Sequence, residues 1–146
     1  MDFAAAVAEI CNLEAEYARA WDAADAAGWA AVFTEDGVFE VGSVGGRPGE
    51  RFQGRPALQA VCARHNEKYE GLHLMHVPHV VVHGDDATGR LHFEWSASTR
   101  PGITPSVRRR TIGYYEVTYR FEAAQWLMAH RLEKQVSETT TRYFGV

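Results

Sequence analysis

This sequence of 146 residues lacks several features that mark whole classes of protein. It contains only two cysteines, Cys11 and Cys62, and their spacing matches no zinc or haem motif. Both fall in helical apolar patterns, which predicts two buried thiols in a cytoplasmic protein. No apolar run approaches the roughly 20 residues that cross a bilayer, so we expect no membrane association. The formal net charge of −4 argues against nucleic-acid binding, because phosphate contacts need a basic surface.

Motifs for cofactors and metal ions are also missing. The glycine-rich segment 42–49 lacks the Gly-Lys-Ser/Thr ending of a phosphate-binding loop, and no dinucleotide-binding fingerprint is present. Four histidines lie between residues 73 and 83, but alternation along a strand would place His73 and His79 on one face and His76 on the other. Two imidazoles without a further ligand do not complete a tetrahedral site. We therefore predict neither a metal ion nor an organic cofactor.

Aromatic and apolar residues are plentiful, and their spacing indicates the order of helices and strands. Apolar side chains recur at three- and four-residue steps from Phe3 to Trp21, which is typical of one face of a helix. A short second helix is predicted to carry Trp29, Val32 and Phe33, and a third to run from residue 56 toward residue 69. Strands are predicted over 38–41, 71–83, 87–98, 107–121 and 125–137. Helices followed by long strands indicate one α+β domain over residues 1–146, with a pocket between the first helix and a curved, mostly antiparallel sheet.

Six short motifs in the chain carry a family resemblance. They are Tyr17-x-x-x-Trp21-Asp22, Trp29-x-x-x-Phe33-Thr34-x-Asp36-Gly37, Gly71-Leu72-His73, Gly84-Asp85-x-Ala87, Gly113-x-Tyr115 and Trp126-x-x-x-His130-Arg131. In this order they resemble the SnoaL-like group of the nuclear-transport-factor-2-like superfamily, which includes polyketide cyclases, scytalone dehydratase and hexachlorocyclohexane dehydrochlorinase. The resemblance extends from about Ala6 to about Ser137. It implies a cone-shaped α+β barrel, in which a strongly bent sheet wraps around the first helix and leaves a deep apolar pocket.

The resemblance also implies a catalytic pair. Asp22 stands where the dehydratase-like members have an aspartate that orients a histidine, and His73 stands where they have that histidine. A carboxylate behind an imidazole fixes its tautomer and stabilises the imidazolium, so the pair can remove a proton from carbon. The second histidine of those members falls here at Ile112, and one of their tyrosines at Val41. Neither can transfer a proton, which argues against dehydration of the same substrate.

The resulting hypothesis is an enzyme without a cofactor, of the lyase or isomerase type, including dehydratase- and cyclase-like chemistry. Its substrate would be a small hydrophobic or aromatic compound that is oxygenated or cyclic, in a pocket shaped by Tyr17, Trp21, Val41, Met75 and Tyr115. If a bulge reverses the strand, His76 would replace His73 as the base. The alternative is a domain of the same fold that binds a small molecule or another subunit without catalysis, with Asp22 and His73 in structural roles.

Charged and apolar strand residues leave further alternatives open. Alternation along the strand places Arg108 and Arg110 on one face and Arg109 on the other. This run of arginines is either a solvated entrance to the strand or an anion-binding mouth for an acidic substrate. Glu40 and Glu94 are candidate acids if either faces the pocket.

Segments 71–83 and 107–121 carry large residues on both faces of the sheet, and only one face can line the pocket. We therefore predict a homo-oligomer, with a dimer through the outer face of the sheet favoured.

Overall fold

A computed structural model of the protein describes residues 2–143. Its helices are α1 (Phe3–Asp22), α2 (Ala26–Ala31) and α3 (Arg55–Lys68), and its strands are β1 (Phe33–Val41), β2 (Glu50–Gln53), β3 (Tyr69–Met75), β4 (His79–His83), β5 (Asp86–Thr99), β6 (Val107–Glu122) and β7 (Gln125–Arg142). The helices precede most of the strands, and the predicted α+β class is confirmed. None of the helices in the described part of the chain is both long enough and apolar enough to cross a bilayer.

The seven strands form one sheet in the order β2-β1-β7-β6-β5-β3, and β4 pairs with β5 beyond the end of β3. All neighbours are antiparallel except β1 and β7. The pairing of β6 with β7 shifts register at two places, near Ile112 and near Tyr119. Such bulges increase the local twist and bend of a sheet, so the two longest strands curve around the core. The predicted curved and mostly antiparallel sheet is thereby confirmed.

Helix α1 lies against the concave face of this sheet. Its buried residues follow the three- and four-residue spacing that the sequence shows, and they include Ile10, Tyr17 and Trp21. They pack with aromatic residues from α2, β1 and β6 in one hydrophobic cluster. Burial of a large apolar side chain contributes roughly 1.5–3 kcal/mol, so this stripe holds the helix in the sheet.

A buried ion pair also ties α1 to the sheet. The Arg131 Nη1 donates to both carboxylate oxygens of Glu14, at 2.9 and 2.8 Å, and the Tyr119 hydroxyl donates to Glu14 at 2.6 Å. The Arg131 guanidinium lies between the rings of Tyr17 and Tyr115, 3.8 and 3.7 Å from their centroids. Its charge thus meets a carboxylate on one side and two π faces on the others, which offsets part of its desolvation.

The predicted second helix is too long at its end. Helix α2 stops at Ala31, and Phe33 already belongs to β1. Val32 and Phe33 are both buried, and a short buried apolar run fits a helix and a strand equally well. The start of α2 is fixed by the Asp25 side chain, which accepts a hydrogen bond from the Gly28 backbone N–H as an N-cap.

The predicted strand 71–83 is in fact two strands, and the break changes which side chains face inward. On β3 the odd-numbered residues point toward the core, whereas on β4 the even-numbered residues Val80 and Val82 do so. The expectation that His73 and His79 share a face is therefore wrong, because residues 76–78 leave the strand and shift the alternation. His76 and His79 are both exposed.

Candidate active site

A cavity of about 480 Å³ opens between α1, α3 and the concave face of the sheet. Its walls are mainly aromatic and include Tyr17, Trp21, Phe39, Phe52, Phe93 and Trp95. The polar side chains that reach it include His65, His73, Arg109, Tyr115, Glu133 and Gln135. A mostly apolar cavity with a few convergent polar groups is typical of a site for a small molecule.

Asp22 and His73 are in direct contact at the edge of this cavity. Asp22 is the last residue of α1, and its carboxylate accepts two hydrogen bonds from His73 on β3. The backbone N–H of His73 lies 2.8 Å from Oδ2, and the ring Nδ1 lies 2.7 Å from Oδ1. The side chains are 14% and 5% exposed, respectively. The predicted hydrogen-bonding distance between the two side chains is thus confirmed.

This contact determines which nitrogen of His73 is free. A carboxylate only accepts hydrogen bonds, so Nδ1 carries the ring proton and donates it to Asp22. In the neutral form of the ring Nε2 keeps its lone pair, and the hydrogen bonds that His73 makes within residues 2–143 involve its backbone N–H and Nδ1. His73 lines the cavity, whereas Asp22 lies behind it and is not part of the lining. The imidazole can therefore accept a proton from a molecule in the cavity.

The other residues predicted for the pocket divide into two groups. Tyr17, Trp21, Val41 and Tyr115 line the cavity. Met75 packs against the edge of the hydrophobic cluster instead and does not line it. The Tyr115 hydroxyl is buried and makes no hydrogen bond with the described residues.

The alternate base is placed away from the cavity. His76 is exposed, and its ring lies 6.0 Å from that of His92 between centroids. Because the strand breaks after Met75, the pleat does not bring His76 inward. Of the two histidines considered from the sequence, His73 lines the cavity.

Ile112, which corresponds to the second histidine of the dehydratase-like members, lies on the outer face of the sheet and is 36% exposed. The inward position is that of its neighbour Thr111, which is buried and lines the cavity. At the register shift after Ile112 the extra residue is Val136, which belongs to β7. The side chains of β6 therefore continue to alternate between the two faces of the sheet past the bulge. No imidazole is available at either position of β6.

Glu133 is a pocket residue that the motifs and spacings of the sequence did not indicate. Its carboxylate faces the cavity from β7 and accepts a hydrogen bond of 2.7 Å from the Gln135 amide. Burial raises the pKa of Glu133, while Gln135 and the positive charges near it act in the opposite direction. In the sequence, Glu133 belongs to the odd-numbered series Arg131, Glu133 and Gln135, whose side chains point inward. None of the three is apolar, so the usual apolar pattern of an inward strand face is missing.

His65 on α3 is a second imidazole in the cavity that the sequence analysis missed. Its ring lies 5.1–5.2 Å from the rings of Trp21, Tyr69 and Trp95. Burial, followed by the charge of Arg109, lowers the pKa of His65 to about 4. This imidazole is therefore neutral at physiological pH and offers one hydrogen-bond donor and one acceptor.

The arginine run alternates as predicted, because Arg109 faces the cavity while Arg108 and Arg110 are exposed. The Arg109 Nη2 donates to Glu138 at 2.7 Å. The two acids considered from the sequence lie elsewhere. Glu40 binds Arg51 and His130, and Glu94 binds Arg110 on the outer face. Neither carboxylate lines the cavity.

Comparison with known proteins places this geometry in context. A family model described as a SnoaL-like domain matches residues 2–132. The sequence matches none of the curated proteins.

Similar solved structures span nearly the whole fold. A protein of unknown function from Mycobacterium tuberculosis is 28% identical and superimposes with a TM-score of 0.72, covering 88% of this chain and 70% of the other. A type 2 hexachlorocyclohexane dehydrochlorinase is 14% identical, with a TM-score of 0.77 and coverages of 95% and 90%. A ketosteroid isomerase-like protein from Erwinia carotovora is 22% identical, with a TM-score of 0.73 and coverages of 90% and 96%. At the latter two identities the likeness establishes the fold alone.

Proposed function

Because the chain belongs to the SnoaL-like domain family, we propose that it is an enzyme without a cofactor in which His73 is the general base and Asp22 orients it. The observation that carries this proposal is the Asp22–His73 contact with Nε2 free at an apolar cavity. The proposed substrate is a small hydrophobic compound that is oxygenated or cyclic. The reaction class is that of a dehydratase, an isomerase or a cyclase.

The first step follows from the geometry of the pair. Nε2 of His73 removes a proton from a carbon next to a carbonyl or a leaving group, and the imidazole becomes an imidazolium. Asp22 stabilises this cation through the Nδ1–H bond while fixing the plane of the ring. Both side chains are largely buried, so the carboxylate acts on the ring in a medium of lower dielectric constant than water.

Glu133 is the proposed partner acid. Burial raises its pKa, which favours the protonated carboxyl that can donate a proton to a leaving oxygen or to an enolate. In an elimination, His73 takes the proton from carbon, the carbon–oxygen bond breaks and Glu133 protonates the departing oxygen. In an isomerisation, a proton returns to a different carbon. The names of the dehydrochlorinase and of the isomerase-like protein fit this proposal, since elimination and isomerisation both remove a proton from carbon.

Proton abstraction can be measured before the natural substrate is identified. Small cyclic ketones such as cyclohexanone and 2-tetralone are incubated with the protein in D₂O, and exchange of their α protons is followed by NMR. The wild type should accelerate exchange over buffer, and His73→Gln should lose about 10²–10⁴-fold of that rate, the typical contribution of a positioned base. His76→Gln is the matched control and should exchange normally, because His76 is exposed. Wild-type exchange at the buffer rate would favour the non-catalytic binding domain, whereas full exchange by His73→Gln would show that His73 is not the base.

The outer face of the sheet supports the proposal of a homodimer. Leu72 and Leu74 on β3, Ile112 on β6 and Val136 on β7 are exposed there and are between 36% and 72% accessible. Light scattering should give twice the 16.3 kDa chain mass, and Leu74→Glu should reduce it to the monomer by placing a charge in the apolar interface. A wild type that is monomeric at micromolar concentration would contradict this.

Cys11 and Cys62 are free, which fits the cytoplasmic location that we propose.

A further inference from the structure

One end of the cavity holds two guanidinium groups that share one carboxylate. Arg109 and Arg47 both line it, and both bind Glu138, at 2.7 and 3.3 Å. Glu50 also lines the mouth. Arg47 and Glu50 are both exposed to solvent, where their charges are screened, so the enclosed cation at this end is Arg109.

Two titratable groups lie next to this end of the cavity. Burial lowers the pKa of His65 to about 4, so that its ring is neutral. Burial raises the pKa of Glu133, which favours its uncharged form. Close to Arg109 lie the rings of Tyr69 and Trp95, 5.2 and 5.7 Å from the guanidinium carbon. An anionic ligand at this end of the cavity would therefore meet the Arg109 guanidinium and two aromatic rings.

Arg109 retains the means to bind one. Its side chain is 17% exposed, and its contact with Glu138 uses Nη2 alone. Because Arg109 lines the cavity, the N–H groups that Glu138 does not take can bind a ligand there. A guanidinium presents paired N–H groups in a plane, which match the two oxygens of a carboxylate.

The aromatic wall connects this cation to the proposed base. The ring of Trp95 lies 5.7 Å from the Arg109 guanidinium and 6.5 Å from the His73 ring. A flat substrate that covers Trp95 can thus reach Arg109 with one end and His73 with the other. We propose that the substrate is a carboxylic acid on a planar or cyclic body, with its carboxylate on Arg109 and its reacting carbon about one ring away. This inference names the substrate class of the proposed function and rests on it, but it is tested by binding alone.

The probe pair is 2-naphthoate and its uncharged analogue 2-naphthamide, measured by isothermal titration calorimetry on the full chain. The wild type should bind naphthoate at least about tenfold more tightly than naphthamide. Arg109→Gln should weaken naphthoate by about 10–100-fold, the range for a charged hydrogen-bonded contact, and should leave naphthamide within about twofold. The matched control is Arg110→Gln, which removes the same charge from the outer face and should change neither affinity.

A second variant gives a change of opposite sign. Glu138→Gln removes the carboxylate that occupies Arg109 and should tighten naphthoate severalfold without affecting naphthamide. Retained binding of naphthamide shows that each variant is folded. The inference is overturned if naphthoate binds the wild type no better than naphthamide does, if Arg109→Gln weakens both ligands equally, or if Glu138→Gln weakens naphthoate.

Failure of this inference can be told apart from failure of the proposed function. His73→Gln should lose proton exchange, and it should leave the ratio of the naphthoate affinity to the naphthamide affinity unchanged. If Arg109→Gln weakens naphthoate but His73→Gln still exchanges ketone protons, the anion site stands and the base assignment falls. If the exchange depends on His73 but Arg109→Gln leaves the naphthoate affinity unchanged, the assignment of the base is supported and the proposed substrate class is wrong.

Discussion

Two acidic residues of α1, eight positions apart, each bind a basic residue of the sheet, and the two pairs differ in almost every respect. Glu14 and Arg131 are completely enclosed, with side chains 3% and 0% exposed. Asp22 and His73 lie where the helix ends, and the imidazole opens on the cavity. Arg131 is held by a carboxylate and two aromatic faces, and its Nε and Nη2 are buried without a hydrogen bond among the described residues. The hydrogen bonds of His73 leave its Nε2 free at the cavity.

The difference shows that burial alone does not identify a chemical site. The buried pair anchors the helix and supports the rings of Tyr17 and Tyr115, but no substrate can reach it. The pair at the edge is less enclosed and has one unsatisfied basic atom that faces a space large enough for a small molecule. We therefore assign stability to the first pair and propose chemistry for the second, and the two roles can be separated by substitution.

The largest effect is expected on stability, from breaking the enclosed pair. Arg131→Met leaves the Glu14 carboxylate buried without its cation, which should lower the free energy of unfolding by about 3–5 kcal/mol. Urea unfolding followed by circular dichroism measures this loss. The double variant Glu14→Gln with Arg131→Met removes both charges and should recover part of it. A loss below about 1 kcal/mol for Arg131→Met would show that the pair does not anchor the helix.

A smaller effect, of a different kind, is expected from the edge pair. Asp22→Asn keeps a side chain that can accept a hydrogen bond from His73 but removes the charge that stabilises the imidazolium. We expect proton exchange to fall by about 10²-fold. The free energy of unfolding should fall by about 1–3 kcal/mol, because the amide nitrogen of Asn cannot accept the second hydrogen bond. Asp25→Asn, three residues along the chain, alters an exposed cap and should not affect exchange. Normal exchange in Asp22→Asn would remove the proposed role of the carboxylate.

The smallest effect separates the two imidazoles of the cavity by pH. The folded pKa of His65 is about 4, below its usual value near 6.5, because burial disfavours the charged ring. Below pH 6.5 the unfolded chain therefore binds more protons at this position than the folded chain, and stability falls as the pH falls. The contribution should be about 1 kcal/mol between pH 7 and pH 5.5. His65→Gln should remove this part of the pH dependence in urea unfolding, while His76→Gln should retain it. Identical pH profiles for the wild type and His65→Gln would contradict the prediction.

The sequence predicts the elements whose patterns are local. The apolar spacing from Phe3 to Trp21 gives α1 directly, and the alternation around Tyr115 and Tyr119 gives the inward face of β6. The contact between Asp22 and His73 joins residues 51 positions apart, and it was predicted through the family resemblance rather than from the spacing itself.

The remaining features depend on how distant segments meet. The break after Met75 reverses the inward face of β4. Pro78 lies in this break and signals an interruption of the strand, but it does not by itself determine which face His79 takes. Glu133 faces the cavity because β7 bends around the core, and its raised pKa arises from that enclosure. His65 is polar in sequence yet is surrounded by rings from α1, β3 and β5. Tertiary packing decides each of these cases.

The protonation of the His73 ring tests the central claim most directly. Long-range ¹H–¹⁵N correlation spectra of the ¹⁵N-labelled protein at pH 7.5, assigned with His73→Gln, distinguish the nitrogen that carries the proton. We predict that in the neutral form of the ring the proton lies on Nδ1, bound to Asp22, and that the unprotonated Nε2 responds when a ligand enters the cavity. A ring with its proton on Nε2, or an Nε2 signal unchanged by a ligand that binds, would contradict the assignment of His73 as the base.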